Sequence, residues 1–415
     1  LRRIWFRATL YSAASIVVAL IAAALGPYIP DTIEQRFDSE TVENILNILA
    51  SSMLAVTTFS LSIMVSAYAS AASNSTPRAT GLLLADSVAA NTLATFLGSF
   101  LFAVVGIVGL SAEIYGDKGR IILFVSTLVV LFMVTFSLLR WIEQLTRFGR
   151  VGDTIARVEA VASRAARNWA ALPRLGAAPP EDAPENAFPI YLERAGYVQH
   201  IDMEELADTA KKAGLIAYLR RAPGHFVSPN IPVAHLSATP DDDTRRDIQS
   251  AFTIQPDRTF EQDPRFGLIV LSEIASRALS PAVNDPGTAI QVLGAGVRTF
   301  LAWCDGHADL REPRFPNVHA PDIPAGEMLE DFFIPIARDG AGILEVQMRL
   351  QANLHTIALA NREHFGEAAK RQAAMALKRA LAELDTPLEQ SRLRRRADWH
   401  LPDKVTGEEA EKNRS

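Results

Sequence analysis

Hydrophobic positions divide this chain unevenly. Before Trp141 they come in four long runs separated by short polar stretches; after it they recur at helical or strand spacing. The runs, about Ile4–Gly26, Asn47–Ala72, Val88–Leu110 and Ile121–Leu139, are each long enough to cross a bilayer as a helix. The second run is also rich in hydroxyls. Thr58, Ser62, Ser66 and Ser70 fall at steps of four and form one slowly drifting stripe on a helix face, with small Ala55, Ala67 and Ala69 beside it. The third run has its own small face, from Thr95, Gly98, Ser99, Gly106 and Gly109, which allows close helix approach in lipid.

The polar stretches set an expected orientation. Arg2, Arg3 and Arg7, then Arg78, then Arg140, Arg147 and Arg150 fall on one side if there are four spans, and the positive-inside bias makes that side cytosolic. The acidic stretch Asp31–Asn44 then faces outward and both termini face in. The basic, apolar start could be a signal peptide. Its apolar run is longer than a signal core and three further spans follow, so a permanent anchor is expected. The chain does not open on methionine, and we expect its numbering to start inside a longer protein.

Beyond Trp141 the period shortens. Val151, Ile155, Val158, Val161 and Ala165 predict a helix over Arg150–Trp169, and the Pro- and Ala-rich stretch from Leu172 to Pro189 predicts a surface linker. A small α/β module follows from Ile190 to Leu236: a strand pair within Tyr191–His200 turning at Ala195-Gly196, a helix Met203–Ala213 capped by Asp202, and strands near Leu215–Arg220 and Val233. Two Asp-Pro steps, Asp263-Pro264 and Asp285-Pro286, each precede an apolar helical run. They predict helices Pro264–Leu279 and Pro286–Trp303 joined by a tight turn. A Pro-rich loop is expected at His307–Pro324, helices at Asp331–Ala337, Gly340–Leu359 and Glu363–Leu384, and a charged tail with Arg392, Arg394, Arg395 and Arg396, frayed at its end.

The expected fold class is therefore membrane α-helical: four transmembrane helices, then a mainly α-helical cytosolic region with a small α/β module. Residues 1–141 form the membrane domain, 142–189 a helical connector and linker, 190–240 the α/β module, 241–384 an α-helical domain and 385–415 the tail.

Composition adds three constraints. A 49% hydrophobic content over 415 residues exceeds what a soluble chain of this size needs. A net charge of −6 gives no reason to expect a nucleic-acid partner. The single cysteine, Cys304, rules out an intrachain disulfide and reads as a small core residue. No ionisable residue lies mid-span, which weighs against an ion-coupled carrier. His200, His225 and His235 show no metal-ligand spacing, and we expect no metal or cofactor. There is no nucleophile elbow or phosphate-binding loop, so no catalytic residue is assigned and the chain is not expected to be an enzyme.

Two groups of site candidates remain. The hydroxyl stripe either packs helices together or, in symmetry-related copies, lines a water-filled path. The second group is Gln262 and Asp263 with Ser280, Asn284, Asp285 and Thr288. These residues either cap helices and pin the turn, or form a polar ligand, ion or subunit site at an exposed helix start.

These motifs carry a resemblance. Ser75-Thr76-Pro77-Arg78 after the hydroxyl-rich span, Pro223-Gly224-His225-Phe226-Val227, Gln262-Asp263-Pro264 and the block Leu279-Ser280-Pro281-Ala282-Val283-Asn284-Asp285-Pro286-Gly287-Thr288-Ala289 resemble a bacterial family of predicted membrane proteins, domain of unknown function family 2254. The likeness runs from the first span to about Leu384 and implies four spans and a bacterial inner membrane. The expected function is an oligomeric ion channel or pore with a cytosolic regulatory domain. The alternative is a membrane-anchored sensor or scaffold coupling to a cytosolic partner. The lipid bilayer, further copies of the chain and a small ion or ligand are the expected partners.

Overall fold

The computed structural model describes residues 39–74, 76–84, 87–113, 115–145, 150–306 and 312–400, with isolated positions 9, 10, 13, 17 and 21. The chain divides into two compact units, one of residues up to 73 with 77–153, the other of 74–76 with the residues from 154 on.

The first unit contains α1 (Ser39–Asn74), α2 (Pro77–Leu84), α3 (Ser87–Ser111) and α4 (Gly116–Leu145). Among the described residues, three helices are long and apolar enough to cross a membrane, over Glu40–Ser70, Val88–Ser111 and Gly119–Leu145. The expected first span, Ile4–Gly26, lies largely outside the described residues. Helix α1 starts earlier than expected. Glu40 and Glu43, assigned above to an acidic loop, lie on the helix, and Glu40 in its first turn favours the positive end of the helix dipole. Helix α3 is the central one: 61% of its apolar window is buried, against 22% for α1 and 17% for α4. Its small residues make this possible, since a β-carbon at Gly106 would lie 3.1 Å from Leu46 and 3.4 Å from Leu123. Leu46, Phe96, Phe102, Leu123 and Trp141 fill the core of this unit.

The second unit opens with α5 (Val151–Ala171) and a 3-10 turn, Pro173–Gly176. The chain then alternates short strands and helices: β1 (Ala177–Ala178), β2 (Phe188–Ile190), β3 (Gly196–Ile201), α6 (Met203–Lys212), β4 (Ala217–Leu219), β5 (Phe226–Val227), β6 (Ala234–Leu236), α7 (Asp242–Ser250) and β7 (Phe252–Gln255). Helices α8 (Pro264–Ala278) and α9 (Pro286–Asp305) follow, then β8 (Phe315–His319), α10 (Ala325–Asp339), α11 (Leu344–Ala360), α12 (Arg362–Glu383) and α13 (Pro387–Ala397). A five-stranded sheet runs β1-β8-β4-β6-β2 and a three-stranded one β5-β3-β7. Ile190, Val198, Leu206, Ala217, Leu236 and Val318 belong to one buried core shared by strands and α6.

Three expectations need correction here. The strand pair turning at Ala195-Gly196 does not form; β3 only begins at Gly196, and β2 belongs to the other sheet. Gly196 serves close approach instead, because a β-carbon there would lie 2.6 Å from the Gln255 carbonyl oxygen. The sheets also reach beyond 190–240. The linker contributes β1 and β2, the Pro-rich loop contributes β8, and β7 follows α7 directly. β8 pairs in parallel with both β1 and β4, far apart in sequence, so no local turn announces it. The tail, finally, is ordered at its start. Thr386 caps α13, whose Leu393 and Ala397 are fully buried against the preceding helices, while 401–415 lie outside the described residues.

Helices α8 to α12 enclose an aromatic core. Phe300 packs against Phe332, Phe333 and Phe365 with ring centroids 6.1, 6.1 and 5.5 Å away. The Phe332 ring lies over Gly296, where a β-carbon would meet it at 2.0 Å. Gly296→Ala is expected to destabilise the second unit by about 1–3 kcal/mol through overpacking. Gly326→Ala, whose new methyl would find its nearest neighbour 3.9 Å away, is expected to be neutral or stabilising. Denaturant melts of the full chain in detergent check both.

Candidate functional site

On α1, the buried positions are Val42, Leu46, Leu49, Met53, Ser60 and Met64. Ser62 is two residues past Ser60, about 200° round the helix. Thr58, Ser62 and Ser66 are accordingly exposed, and Ser70 half-exposed, on the face that the other described helices of the unit leave uncovered. Their hydroxyls are not idle. Thr58 Oγ1 donates to the Ala55 carbonyl at 2.9 Å and Ser62 Oγ to the Thr58 carbonyl at 3.0 Å. Leaving such a hydroxyl unbonded in hydrocarbon would cost several kcal/mol. The bond to the preceding turn removes that cost and leaves the oxygen lone pairs able to accept.

The exposed face of α4 carries fewer hydroxyls, Thr135 among them. Val125, Val129, Phe132, Phe136 and Leu139 are each more than half exposed and purely apolar, a surface suited to acyl chains. Helix α1 exposes Phe59, Leu61 and Val65 among its hydroxyls, so its uncovered face is mixed where that of α4 is mainly apolar.

In the second unit the two Asp-Pro steps behave as the residue types dictate, but they do different work. Asp263 is 2% exposed, and its carboxylate accepts from the Arg265 and Phe266 amides at 3.2 and 3.1 Å to start α8. Arg258 Nε donates to it at 2.7 Å, and the Arg258 guanidinium lies over the Phe266 ring at 5.3 Å. Burial pushes the Asp263 carboxyl above its ordinary range, against the pull of Arg258. Gly224, at φ +90°, packs flush against this pair, and a β-carbon there would come to 2.3 Å from the carboxylate. Gln262 completes the clasp: its Oε1 accepts from the Ile201 amide at 2.9 Å and its Nε2 donates to the Ile201 carbonyl at 3.3 Å, extending the edge of β3. Gln262 and Asp263 thus bind strand to helix.

The other four candidates form the exposed turn between α8 and α9. The Asn284 amide donates to the Ser280 carbonyl and the Asp285 amide to the Ala278 carbonyl, each at 2.8 Å. Asn284 holds φ +48°, a conformation asparagine tolerates better than most residues. Asp285 caps α9, accepting from the Thr288 amide at 3.0 Å and the Thr288 hydroxyl at 2.6 Å, and these bonds hold its carboxyl below its usual range. Ser280 Oγ donates to the Arg277 carbonyl at 2.7 Å. Val283, at the tip, is 52% exposed. Helix α8, 15 residues and so about 22 Å long, separates this turn from Asp263, and the candidates belong to two places.

The sequence reading missed Gly224 and Arg258. Gly224 lay within a quoted motif, but its partner is 39 residues away in sequence. Among the described residues no group of three or more His, Cys, Asp or Glu could hold a metal. His225 Nδ1 lies 3.0 Å from the Ala222 carbonyl, His235 beside Arg220, and His200 at the surface. Burial pushes the half-buried Cys304 thiol up, away from the reactive thiolate.

Three helices long and apolar enough to cross a membrane mark the class of membrane proteins. The chain belongs to the family described as "Predicted membrane protein (DUF2254)", which it matches over residues 2–356. It is also similar to the uncharacterized proteins Rv1290c of Mycobacterium tuberculosis and Mb1321c of Mycobacterium bovis, with 32% identity over 164 residues. That match covers 38% of this chain and 29% of each relative, so the chain spans well under two thirds of the curated relatives it matches. No solved structure matches.

The two caps should separate in a stability measurement. Asp263→Ala leaves the Arg258 guanidinium, 17% exposed, without its partner and is expected to cost about 3 kcal/mol or more. Asp285→Ala removes an exposed cap and is expected to cost about 1 kcal/mol. Urea melts of the full chain, followed by far-UV circular dichroism, check the order.

Proposed function

We propose that this protein is an oligomeric ion channel or pore of a bacterial inner membrane, with α1 lining the path and the second unit regulating it from the cytosol. The observation that carries this reading is the line of hydroxyls on the face of α1 that the other described helices leave uncovered. A face of large apolar side chains, as on α4, gains from lipid. The stripe Thr58, Ser62, Ser66 and Ser70 gains nothing there, but symmetry-related copies of it would form a neutral polar wall. The Thr58 and Ser62 hydroxyls, already donating to their own backbone, keep acceptor capacity for water or a cation. Three or four spans are too few to enclose a path in one chain, so the reading requires homo-oligomers.

The orientation follows from Arg78, Arg140 and Arg150, with the arginines near the start and Arg147, gathered on one side, which the positive-inside bias makes cytosolic. Both termini then face the cytosol. We assign no enzymatic activity.

A membrane-anchored sensor or scaffold is the second reading. The turn from Ser280 to Thr288 favours it: this densely specified segment ends in an exposed Val283, as a docking tip would.

Single-channel recording of the purified chain in a planar bilayer tests the first reading. Discrete currents that Ser66→Phe blocks or reduces severalfold support it. Silence from a correctly assembled oligomer across voltages and salts overturns it and moves attention to the Val283 turn.

A further inference from the structure

Part of the charged tail packs as α13. Gln390 Nε2 donates to the Leu384 carbonyl at 3.0 Å, and Leu393 and Ala397 are buried. This docking brings Arg392 and Arg396, one turn apart on the same face, up to Arg349 of α11. The three line a groove of about 540 Å³ together with Glu345 and the apolar Ile290 and Met348. Among the described residues, none of the three arginines makes an ion pair or hydrogen bond, although this chain has more acids than bases. The α13 dipole accounts for basic residues in its last turn, Arg394 to Arg396, but not for Arg392 or Arg349. Three positive charges share the groove with one carboxylate, Glu345, and an anion bridging the arginines would relieve the repulsion that remains.

We propose that the groove between α11 and α13 binds a phosphate-bearing anion with an apolar portion. Guanidinium forks match phosphate oxygens in pairs, the volume falls in the range of small-ligand sites, and the Ile290–Met348 side suits a ring or short acyl segment. A free phosphorylated metabolite and an anionic phospholipid share this chemistry. The inference stands apart from the channel reading.

Isothermal titration calorimetry of the full chain in a neutral detergent tests it, with pyrophosphate, ATP and dihexanoyl phosphatidylglycerol below its micelle concentration as probes. The doubly substituted Arg392→Gln, Arg396→Gln chain is compared with Arg394→Gln, Arg395→Gln, which changes charge equally on the same helix away from the groove. Saturable binding of ATP or pyrophosphate, weakened at least tenfold only in the first variant, supports the site with a soluble ligand. The same pattern confined to the short-chain lipid supports it with a lipid ligand. Met348→Trp should weaken ATP or lipid binding more than pyrophosphate binding. No saturable binding of any probe, or equal weakening in both double variants, overturns the proposal.

Discussion

The ion pair between Asp263 and Arg258 is the constraint on which the second unit turns. Two charges have been taken almost wholly out of water, and such a pair contributes little net stability against an apolar alternative. It contributes definition. The carboxylate must simultaneously accept from the first amides of α8, receive Arg258 and lie against a residue without a side chain, Gly224. All three demands meet where the β3–β5 sheet adjoins α8, and Gln262 adds to them by bonding both backbone groups of Ile201. From α8 the arrangement propagates into the aromatic core, where Ser272 Oγ donates to the Phe332 carbonyl at 2.9 Å.

In the membrane unit the governing constraint is different. Hydrocarbon offers no partner for a polar group, so each hydroxyl must find one on its own helix or a neighbour. Thr95, Ser99 and Thr127, buried inside the unit, bond back to the carbonyl four residues earlier, as the exposed Ser62 does. Self-satisfaction is therefore common to both settings. The α1 stripe lies on a face that the other described helices leave uncovered, which packing among those helices alone does not need.

The same division of labour explains the turn after α8. Its backbone bonds are closed within the turn, and its side chains are spent on capping, so nothing local strains outward except Val283. A segment so fully specified by its own hydrogen bonds presents a rigid outline, which is what recognition by another surface requires.

Much of this was legible from residue order alone. Uninterrupted apolar runs define three of the described helices because length and hydropathy suffice for a span. Asp-Pro steps define the starts of α8 and α9 because the capping carboxylate and the proline act within one turn of backbone. The stripe of Thr58, Ser62, Ser66 and Ser70 follows from helical period. What residue order could not reveal involves partners distant in the chain. β1, β2 and β8 carry no alternation and pair across as many as 140 residues, so they read as linker and loop. Gly196 was taken for a turn, when its lack of a side chain serves an approach to Gln255. Which face of α1 the other described helices cover depended on how α1 met α3. Gln262 and Asp263 became a clasp, and Arg392 a neighbour of Arg349, only when separate elements packed. Local chemistry determines which element forms; burial, a property of the assembled chain, determines what each side chain then meets.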